Sequence, residues 1–305
     1  MYLEAVNLSK KFGNFYALKN LNLRIEGKKC VGYLGPNGAG KTTTLKLFTN
    51  LLRPTSGSAV INGYDVKKEP KKALKGVGTL IETPDFYPYL TAEEILSMAC
   101  EIRGVSKEGI TRVLKRVGLK EWRDRKVGKF SKGMKQRLAL ATALVADPEI
   151  LILDEPTTGM DPQGMMEVRE IIKGLKKEGL LIFMSSHLLP EVSSVCDEVA
   201  MINRGELILY DSMENVVRSF SSKSVLVEFL QPVKNVKEIE EIGGVEGVEV
   251  LGERRLRISF SGEKDEQYTI LKELLERGYR VLNYQSETIA LEEAYLKLVG
   301  GETYG

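Results

Sequence analysis

The sequence has little of what disulfide frameworks, zinc sites and membrane spans require. Its three cysteines, Cys30, Cys100 and Cys196, lie far apart and form no C-x-x-C pair. This spacing argues against a disulfide framework or a zinc site and favours a reducing compartment. Charges come too early at the N-terminus for a signal peptide. No stretch approaches the roughly 18 apolar residues of a membrane-spanning helix, so we expect a chain that does not cross a membrane by itself.

The sequence also lacks an excess of either charge. Its 44 basic and 42 acidic residues give a net charge of +2, so no large electrostatic field favours binding to nucleic acid. Hydrophobic residues make up 43% and charged residues 28%, which is ordinary for a globular protein. A chain of 305 residues can bury a substantial core, and we expect one large domain and one small domain.

Strands and helices alternate through the first two thirds of the chain. Apolar runs at 30–34, 150–153 and 180–186 predict buried strands, and helical patterns separate them. This alternation predicts an α/β fold with a mostly parallel sheet covered on both faces. The alternating segment 21–25 predicts an antiparallel strand, whereas residues 91–128 hold only helical patterns and indicate a helical insert.

The pattern changes close to residue 220. The rest of the chain has the order β-α-β-β-α-β, which is typical of a ferredoxin-like α+β domain, followed by a last helical segment at 291–300. We therefore divide the chain into residues 1–219, with a helical insert at about 83–135, and residues 220–305. The second part contains no motif that indicates chemistry.

Residues 35–43, GPNGAGKTT, match the phosphate-loop pattern between a predicted strand and a predicted helix. Backbone N–H groups at such a helix start bind phosphate. Lys41 would reach the β- and γ-phosphates of a nucleotide, and the Thr42 hydroxyl would bind Mg²⁺. A chance glycine-rich turn is the alternative, and the strand–loop–helix setting argues against it. The predicted nucleotide-binding residues are Asn37, Gly38, Ala39, Gly40, Lys41, Thr42 and Thr43.

Two further segments fit the same site. The strand ILIL is followed by Asp154, a predicted Mg²⁺ ligand, and by Glu155, a predicted general base for the attacking water. His187 is the only histidine and follows the strand at 180–186, where a donor can contact a γ-phosphate. The plainer alternatives are an acidic strand end and a structural histidine.

The segment FSKGMKQR at 130–137 opens another helix with Ser131 and Gly133. A helix start with a serine cap binds anions, although the phosphate loop already supplies such a site. The simpler interpretation is that Ser131 only caps its helix.

The order of phosphate loop, FSKGMKQR, ILILDEP, Asp161 and His187 resembles the ATP-binding subunits of ABC transporters over roughly residues 1–215. The resemblance implies ATP as substrate and an α/β P-loop fold with antiparallel β and helical subdomains. It also implies that two subunits pack head to tail, so that Ser131 and Gly133 contact ATP held by the other subunit. Asp161 lies in the segment TTGMD, which resembles the D-loop.

The same resemblance gives Phe12 the place of the aromatic residue that stacks on adenine.

Three positions depart from the family pattern. Lys132 and Met134 replace the usual Gly and Gln of the signature segment, and Glu82 stands where a Q-loop glutamine is usual. Glu82 would then contact Mg²⁺ or a water in place of an amide. Glu82, GMKQR and the small C-terminal domain together resemble the antibiotic- and lantibiotic-export type.

The resemblance further implies an ATPase that forms a homodimer or pairs with a similar subunit. It would drive a separate transmembrane permease from the cytoplasmic face of the membrane, without binding nucleic acid. The aromatic segment 83–91 would receive a cytoplasmic helix of that permease. A soluble ABC-type ATPase acting on ribosomes or DNA is the alternative, but such proteins carry two nucleotide domains or a long coiled coil. The C-terminal domain as a sensor of a small regulator also remains open.

Overall fold

The computed structural model describes residues 1–82, 85–220, 223–233, 235–260 and 264–288. By its internal contacts the chain divides into two compact units, residues 1–213 and 214–305. The boundary at residues 219/220 drawn from the sequence pattern lies a few residues later and stays a prediction. The predicted last helix, 291–300, lies outside the described residues, as do residues 83 and 84 of the aromatic segment.

The first unit alternates strands and helices. Its strands are β1 (Tyr2–Phe12), β2 (Phe15–Glu26), β3 (Cys30–Leu34), β4 (Ser56–Ile61), β5 (Tyr64–Asp65), β6 (Val77–Leu80), β7 (Ile150–Leu153), β8 (Leu181–Ser186), β9 (Glu198–Asn203) and β10 (Glu206–Ser212). Its helices are α1 (Lys41–Phe48), α2 (Pro70–Ala73), α3 (Ala92–Arg103), α4 (Ile110–Arg116), α5 (Lys132–Leu144), α6 (Pro162–Lys177) and α7 (Leu189–Val195), with 3₁₀ turns at Lys107–Gly109, Lys120–Trp122 and Val127–Lys129.

The central sheet has the strand order β10-β9-β3-β8-β7-β6. Neighbouring strands from β9 to β6 run parallel, and β10 closes the edge as an antiparallel hairpin with β9. Every residue of β3, β7 and β8 is buried, as expected for central parallel strands. The hairpin turn is Arg204–Gly205, where both residues have positive φ, as a type I′ turn requires. The predicted α/β fold is confirmed.

A second, antiparallel sheet has the order β2-β1-β4-β5. In β2 the predicted alternation is present, because Leu21, Leu23 and Ile25 are buried while Asn22 and Arg24 are exposed. Side chains from this sheet, from the central sheet and from α1 share one hydrophobic core. The shared core fixes the position of β1 and β2 relative to the phosphate loop.

Helices also fill the segment that was predicted to be helical. The α3 helix starts with the capping box expected from the sequence: Thr91 accepts from the N–H of Glu94, and the Glu94 carboxylate accepts from the N–H of Thr91. It ends at Gly104, which has a left-handed φ of 66°. The α5 helix then starts at its cap, Ser131. Within the described ranges, no helix is both long enough and apolar enough to cross a bilayer.

The α8 helix (Met213–Phe220) starts at the last residue of the first unit. The second unit also contains β11 (Lys223–Phe229), α9 (Lys237–Glu240), β12 (Val245–Gly252), β13 (Arg255–Phe260), α10 (Lys264–Glu276) and β14 (Val281–Thr288). Its strands pair antiparallel in the order β12-β13-β11-β14, the ferredoxin-like arrangement that was predicted. Val225, Val227 and Ile258 from the sheet and Ile270 from α10 form part of its own core. The sequence interpretation missed α8, a short helix at the point where the pattern changes.

Candidate functional site

The phosphate loop joins β3 to α1, and two of its glycines are required by close packing. A side-chain Cβ at Gly35 would lie 2.4 Å from the carbonyl oxygen of Ile202. At Gly40 it would lie 2.4 Å from the carbonyl oxygen of Ala17, and the φ of 107° is also one that glycine favours. Gly40 is the N-cap of α1 and has no side chain to occupy the first N–H groups of the helix. These groups are therefore available to a phosphate.

Lys41 folds back over this loop. Its side chain is only 5% exposed, and Nζ donates to the carbonyl oxygens of Gly35 at 2.7 Å and Pro36 at 3.2 Å. The same ammonium lies 3.4 Å from Oε1 of Glu155. One cation thus lies between the phosphate loop and the predicted general base, a position from which it can contact both nucleotide and carboxylate.

Ser185 of β8 holds the acidic end of β7 in place. Its hydroxyl donates to Oδ1 of Asp154 at 2.6 Å and accepts from the N–H of Glu155 at 2.9 Å. Both Asp154 and Ser185 are buried. A single hydroxyl thereby orients the predicted metal ligand and the backbone of the predicted base.

Glu155 has several hydrogen-bonding partners and a backbone conformation with positive φ. Its φ is 45°, which for a residue other than glycine is strained. Oε2 accepts from the Thr158 hydroxyl at 2.8 Å and lies 2.7 Å from Nδ1 of His187. Partial burial raises the pKa of the Glu155 carboxyl, but the bonds from Thr158 and His187 and the charge of Lys41 outweigh burial and leave the pKa below its ordinary value. Glu155 is therefore ionised at neutral pH.

A cleft of about 630 Å³ lies in front of these groups, a volume within the range of small-molecule sites. Its lining residues are Phe12, Phe15, Ala17, Asn37, Gly38, Gly40, Lys41, Thr42, Thr43, Glu155, Thr158 and His187. Phe12 and Phe15 are paired positions of the β1–β2 hairpin, and both side chains are exposed. The fold therefore brings an aromatic hairpin, the phosphate loop, the acidic strand end and the histidine to one place.

The other predicted residues have different positions. Ala39 is buried below the loop. Glu82 has a side chain that is 69% exposed and forms an ion pair with Lys46 of α1 at 2.6 Å. Asp161 caps α6 by accepting from the N–H of Gly164 at 2.8 Å. None of these three is among the described residues that line the cleft.

Ser131 and Gly133 lie at the start of α5 and are also absent from the described cleft lining. The Ser131 hydroxyl is exposed and accepts from the N–H of Met134 at 3.2 Å, so it is a helix cap, as the simpler interpretation states. A cap of this kind leaves other N–H groups of the first turn available to an anion.

The sequence interpretation missed four residues of the site: Ser185, and Thr158, Phe15 and Ala17 of the cleft lining. A signal for Ser185 was present, because a buried parallel strand that ends in two serines has hydroxyls that must find partners. Thr158 and Phe15 carried no such signal, since an exposed threonine and an exposed phenylalanine are common in loops and hairpins.

Comparison with known proteins places this geometry in a family. The family model described as ABC transporter matches residues 18–158. The bacitracin transport ATP-binding protein of Bacillus licheniformis is 37% identical over 99% of this chain and 99% of its own length. The lantibiotic transport ATP-binding protein of Streptococcus pyogenes is 41% identical over 72% of this chain and 96% of its own.

A solved structure is similar as well. It is the dimer of an ATP-binding cassette in a post-hydrolysis state, bound to ADP and phosphate, with 25% identity and a TM-score of 0.62 over 69% of this chain and 98% of that one. The phosphate loop, the paired acidic residues and the histidine thus occur in a chain that the bacitracin transport ATP-binding protein matches over almost its whole length. The chain belongs to the family of ABC transporter ATP-binding subunits, and it is an ATPase whose hydrolysis of ATP is coupled to transport.

Proposed function

We propose that this subunit drives export of an antibiotic-like molecule through a separate membrane permease, from the cytoplasmic face of the membrane. The observation that supports export is the 37% identity to a bacitracin transport protein, which extends over 99% of the chain and so includes the second unit. The lantibiotic transport relative supports the same substrate class. ATP binding closes a head-to-tail dimer of two such subunits, and hydrolysis reopens it.

ATP binds in the cleft with its phosphates on the loop and its base against Phe12. Phe12 lies on the hairpin beside the loop, and a flat exposed ring suits stacking on adenine. Lys41 then exchanges its carbonyl contacts for phosphate oxygens, which carry full charge and bind an ammonium more strongly. Asn37, Gly38 and Thr43 line the same cleft and contact the phosphates.

The residues present suit Mg²⁺, which prefers oxygen ligands. The Thr42 hydroxyl and the Asp154 carboxylate are the two that would hold it. No three His, Cys, Asp or Glu side chains of the described chain cluster closely enough to hold a metal by themselves. The remaining ligands would be phosphate oxygens and water, as is usual for Mg²⁺ in nucleotide sites. When bound, Mg²⁺ neutralises charge that develops on the phosphates.

Glu82 contributes to the proposed site only after it changes its partner. Its carboxylate is paired with Lys46, so it contacts metal or water only after leaving that partner. An exposed ion pair contributes little, roughly 0–1 kcal/mol, and is therefore easily exchanged. Glu82 also has a positive φ of 64°, so its backbone is strained, as is common in segments that switch conformation.

Hydrolysis uses the carboxylate and the imidazole. Glu155 is ionised and accepts a proton from the water that attacks the γ-phosphate. His187 lines the cleft next to Glu155 and contacts a γ-phosphate oxygen through its other ring nitrogen. The bond between the two residues links the position of the base to the presence of the phosphate.

The partner subunit completes the site. Ser131 and the N–H of Gly133 lie at the start of α5, a helix of 13 residues, where the helix dipole and the N–H groups favour an anion. They contact the γ-phosphate held by the other subunit. Asp161 lies at the same interface, although in one subunit alone it caps α6. The dimeric solved structure supports this assembly.

The permease contacts the aromatic segment. Tyr87 and Tyr89 are about 60% exposed, with ring centroids 5.6 Å apart, and Phe86 and Leu90 are partly buried beside them. Exposed aromatic clusters of this kind are typical of protein interfaces.

Replacing both tyrosines with alanine is expected to lower recruitment to membranes with unchanged ATP binding. Tyr268→Ala in the second unit, equally exposed, is the control.

The decisive test is purification of the tagged protein from detergent-solubilised native membranes, with the co-purifying proteins identified by mass spectrometry. A multi-span membrane protein in near-equal amount supports the proposal, and its identity narrows the substrate class. Recovery of ribosomal or DNA-associated proteins with no membrane partner would contradict it and would support a soluble ATPase instead.

A further inference from the structure

A buried glutamate outside the cleft connects the two segments that carry the proposed catalytic groups. Glu191 lies in the first turn of α7 and is only 2% exposed. Its Oε1 accepts from the Thr157 hydroxyl at 2.6 Å, and its Oε2 accepts from the Ser186 hydroxyl at 2.8 Å. We call these three residues, Thr157, Glu191 and Ser186, the Glu191 clasp.

Each end of the clasp lies next to a residue of the site. Thr157 follows Glu155 by two positions, and Ser186 directly precedes His187. The Ser186 hydroxyl also accepts from the N–H of Leu188 at 3.0 Å, so it fixes the backbone on both sides of His187. One carboxylate therefore sets the distance between the loop of the base and the turn of the histidine.

Burial of a carboxylate is unfavourable unless it is well bonded, and the clasp meets this condition. Both hydroxyl donors are buried, with Thr157 1% and Ser186 0% exposed. The guanidinium of Arg169, from α6, lies 3.8 Å from Oε1 of Glu191 and offsets its charge. Apolar residues would fill the same space without this arrangement, so packing alone does not account for it.

We propose that Glu191 is a positioning residue for ATP hydrolysis, which holds Glu155 and His187 in register without touching ATP. This inference rests on the roles proposed above for those two residues. The side-chain bonds of the clasp join Thr157 and Ser186 to Glu191, and the clasp meets the phosphate loop only through the backbone, where the N–H of Gly35 donates to the carbonyl oxygen of Ser186 at 3.3 Å. Loss of the Glu191 carboxylate leaves this backbone bond in place, so we expect this loss to affect the chemical step more than nucleotide binding.

The test measures kcat and KM for ATP separately in variants of Glu191. Glu191→Ala is expected to lower kcat for ATP about 10- to 100-fold, because small displacements of catalytic groups have effects of this size, while KM changes less than about threefold. Glu191→Gln is expected to restore most of kcat. The amide has the same shape, its oxygen accepts from one hydroxyl, and its NH₂ donates to the other.

Val192→Ala is the matched control, since Val192 is fully buried in the same helix and packs over Gly32 of β3. It removes apolar contact from α7 without removing a bond of the clasp. Its expected effect is a lower Tm with kcat within about twofold of the wild type. Equal kcat for Glu191→Ala and Val192→Ala would overturn the inference, as would a rise in KM with kcat unchanged.

If the Glu191→Ala variant does not fold, the Thr157→Val variant is measured instead. It keeps the shape of the side chain and removes one hydroxyl, and we expect kcat to fall at least about fivefold at unchanged KM. An unchanged kcat would also overturn the inference. Glu155→Gln and His187→Ala are measured beside it. If Glu155→Gln and His187→Ala retain turnover, the proposed catalytic roles fail. If these two variants lose turnover while the clasp variants keep it, the catalytic roles stand and the positioning role of Glu191 is rejected.

Discussion

Nδ1 of His187 lies 2.7 Å from Oε2 of Glu155, so the only histidine of the chain is bonded to the proposed general base. The carboxylate is ionised and can only accept, which makes Nδ1 the donor. The remaining ring nitrogen, Nε2, then donates to a phosphate oxygen only in the form of the ring that carries a proton on both nitrogens. The two residues follow neighbouring parallel strands, β7 and β8, and this adjacency brings them together.

Glu155→Gln is expected to slow hydrolysis about 10²- to 10³-fold while ATP still binds, because the amide cannot accept the proton of the attacking water. The variant should accumulate as a dimer in ATP, measured by size-exclusion chromatography alongside phosphate release. Glu149→Gln, an exposed glutamate just before β7, is the control with the same chemical change. Turnover near the wild-type rate would exclude the general-base role.

His187→Ala is expected to reduce kcat at least about tenfold, since it removes both the proposed phosphate contact and a hydrogen bond to the proposed base. Binding of ATP depends on the phosphate loop and should change little, as equilibrium binding of a fluorescent ATP analogue would report. A loss smaller than about threefold would mean that His187 has only a structural role.

Ser131→Arg is expected to prevent dimer closure, because a long cation would fill the surface that we propose to bind the partner's nucleotide. ATP affinity of the monomer should stay the same, since Ser131 is not part of the cleft of its own subunit. The loss of the cap itself costs about 1 kcal/mol of stability. Ser106→Arg, at another exposed serine cap, controls for that effect. ATP-dependent dimers in Ser131→Arg would contradict the proposed contact between Ser131 and the nucleotide of the other subunit.

Phe12→Ala is expected to weaken ATP binding about tenfold, which is the size of one base–aromatic stacking interaction. The change should appear in KM with kcat nearly unchanged. Phe12→Tyr keeps the flat ring and should retain the wild-type KM. If Phe12→Ala and Phe12→Tyr have the same KM as the wild type, adenine does not stack on this residue.

The three thiols are expected to resist Ellman's reagent in the native protein at pH 8. All are buried, and Sγ of Cys30 lies 3.3 Å from Sγ of Cys196. The bond with Cys30, together with burial, raises the pKa of Cys196, and burial raises that of Cys100, so little reactive thiolate forms at this pH. Denaturant should expose three fast-reacting groups. Rapid reaction of a native thiol would contradict the described burial.

Much of the fold was predictable because its signals are local. The fully apolar β7 is short, which favoured a buried strand over a helix, and Thr91 with Glu94 marked the start of α3. Other elements had weaker signals. The α8 helix was missed although Met213, Val216, Val217 and Phe220 have helical spacing, because eight residues at a domain boundary are easily taken for a linker.

The sequence by itself determined the phosphate loop, the acidic pair and the helix starts, since each depends on residues that are neighbours along the chain. Only the tertiary structure decided which side chains meet. Ser185 orients Asp154, Glu82 pairs with Lys46, and Glu191 joins Thr157 to Ser186. The Ser185 and Glu191 contacts join segments that are distant in sequence but adjacent in the fold, and they satisfy the need of buried polar groups for a partner. The Glu82–Lys46 pair is exposed and joins the end of β6 to α1.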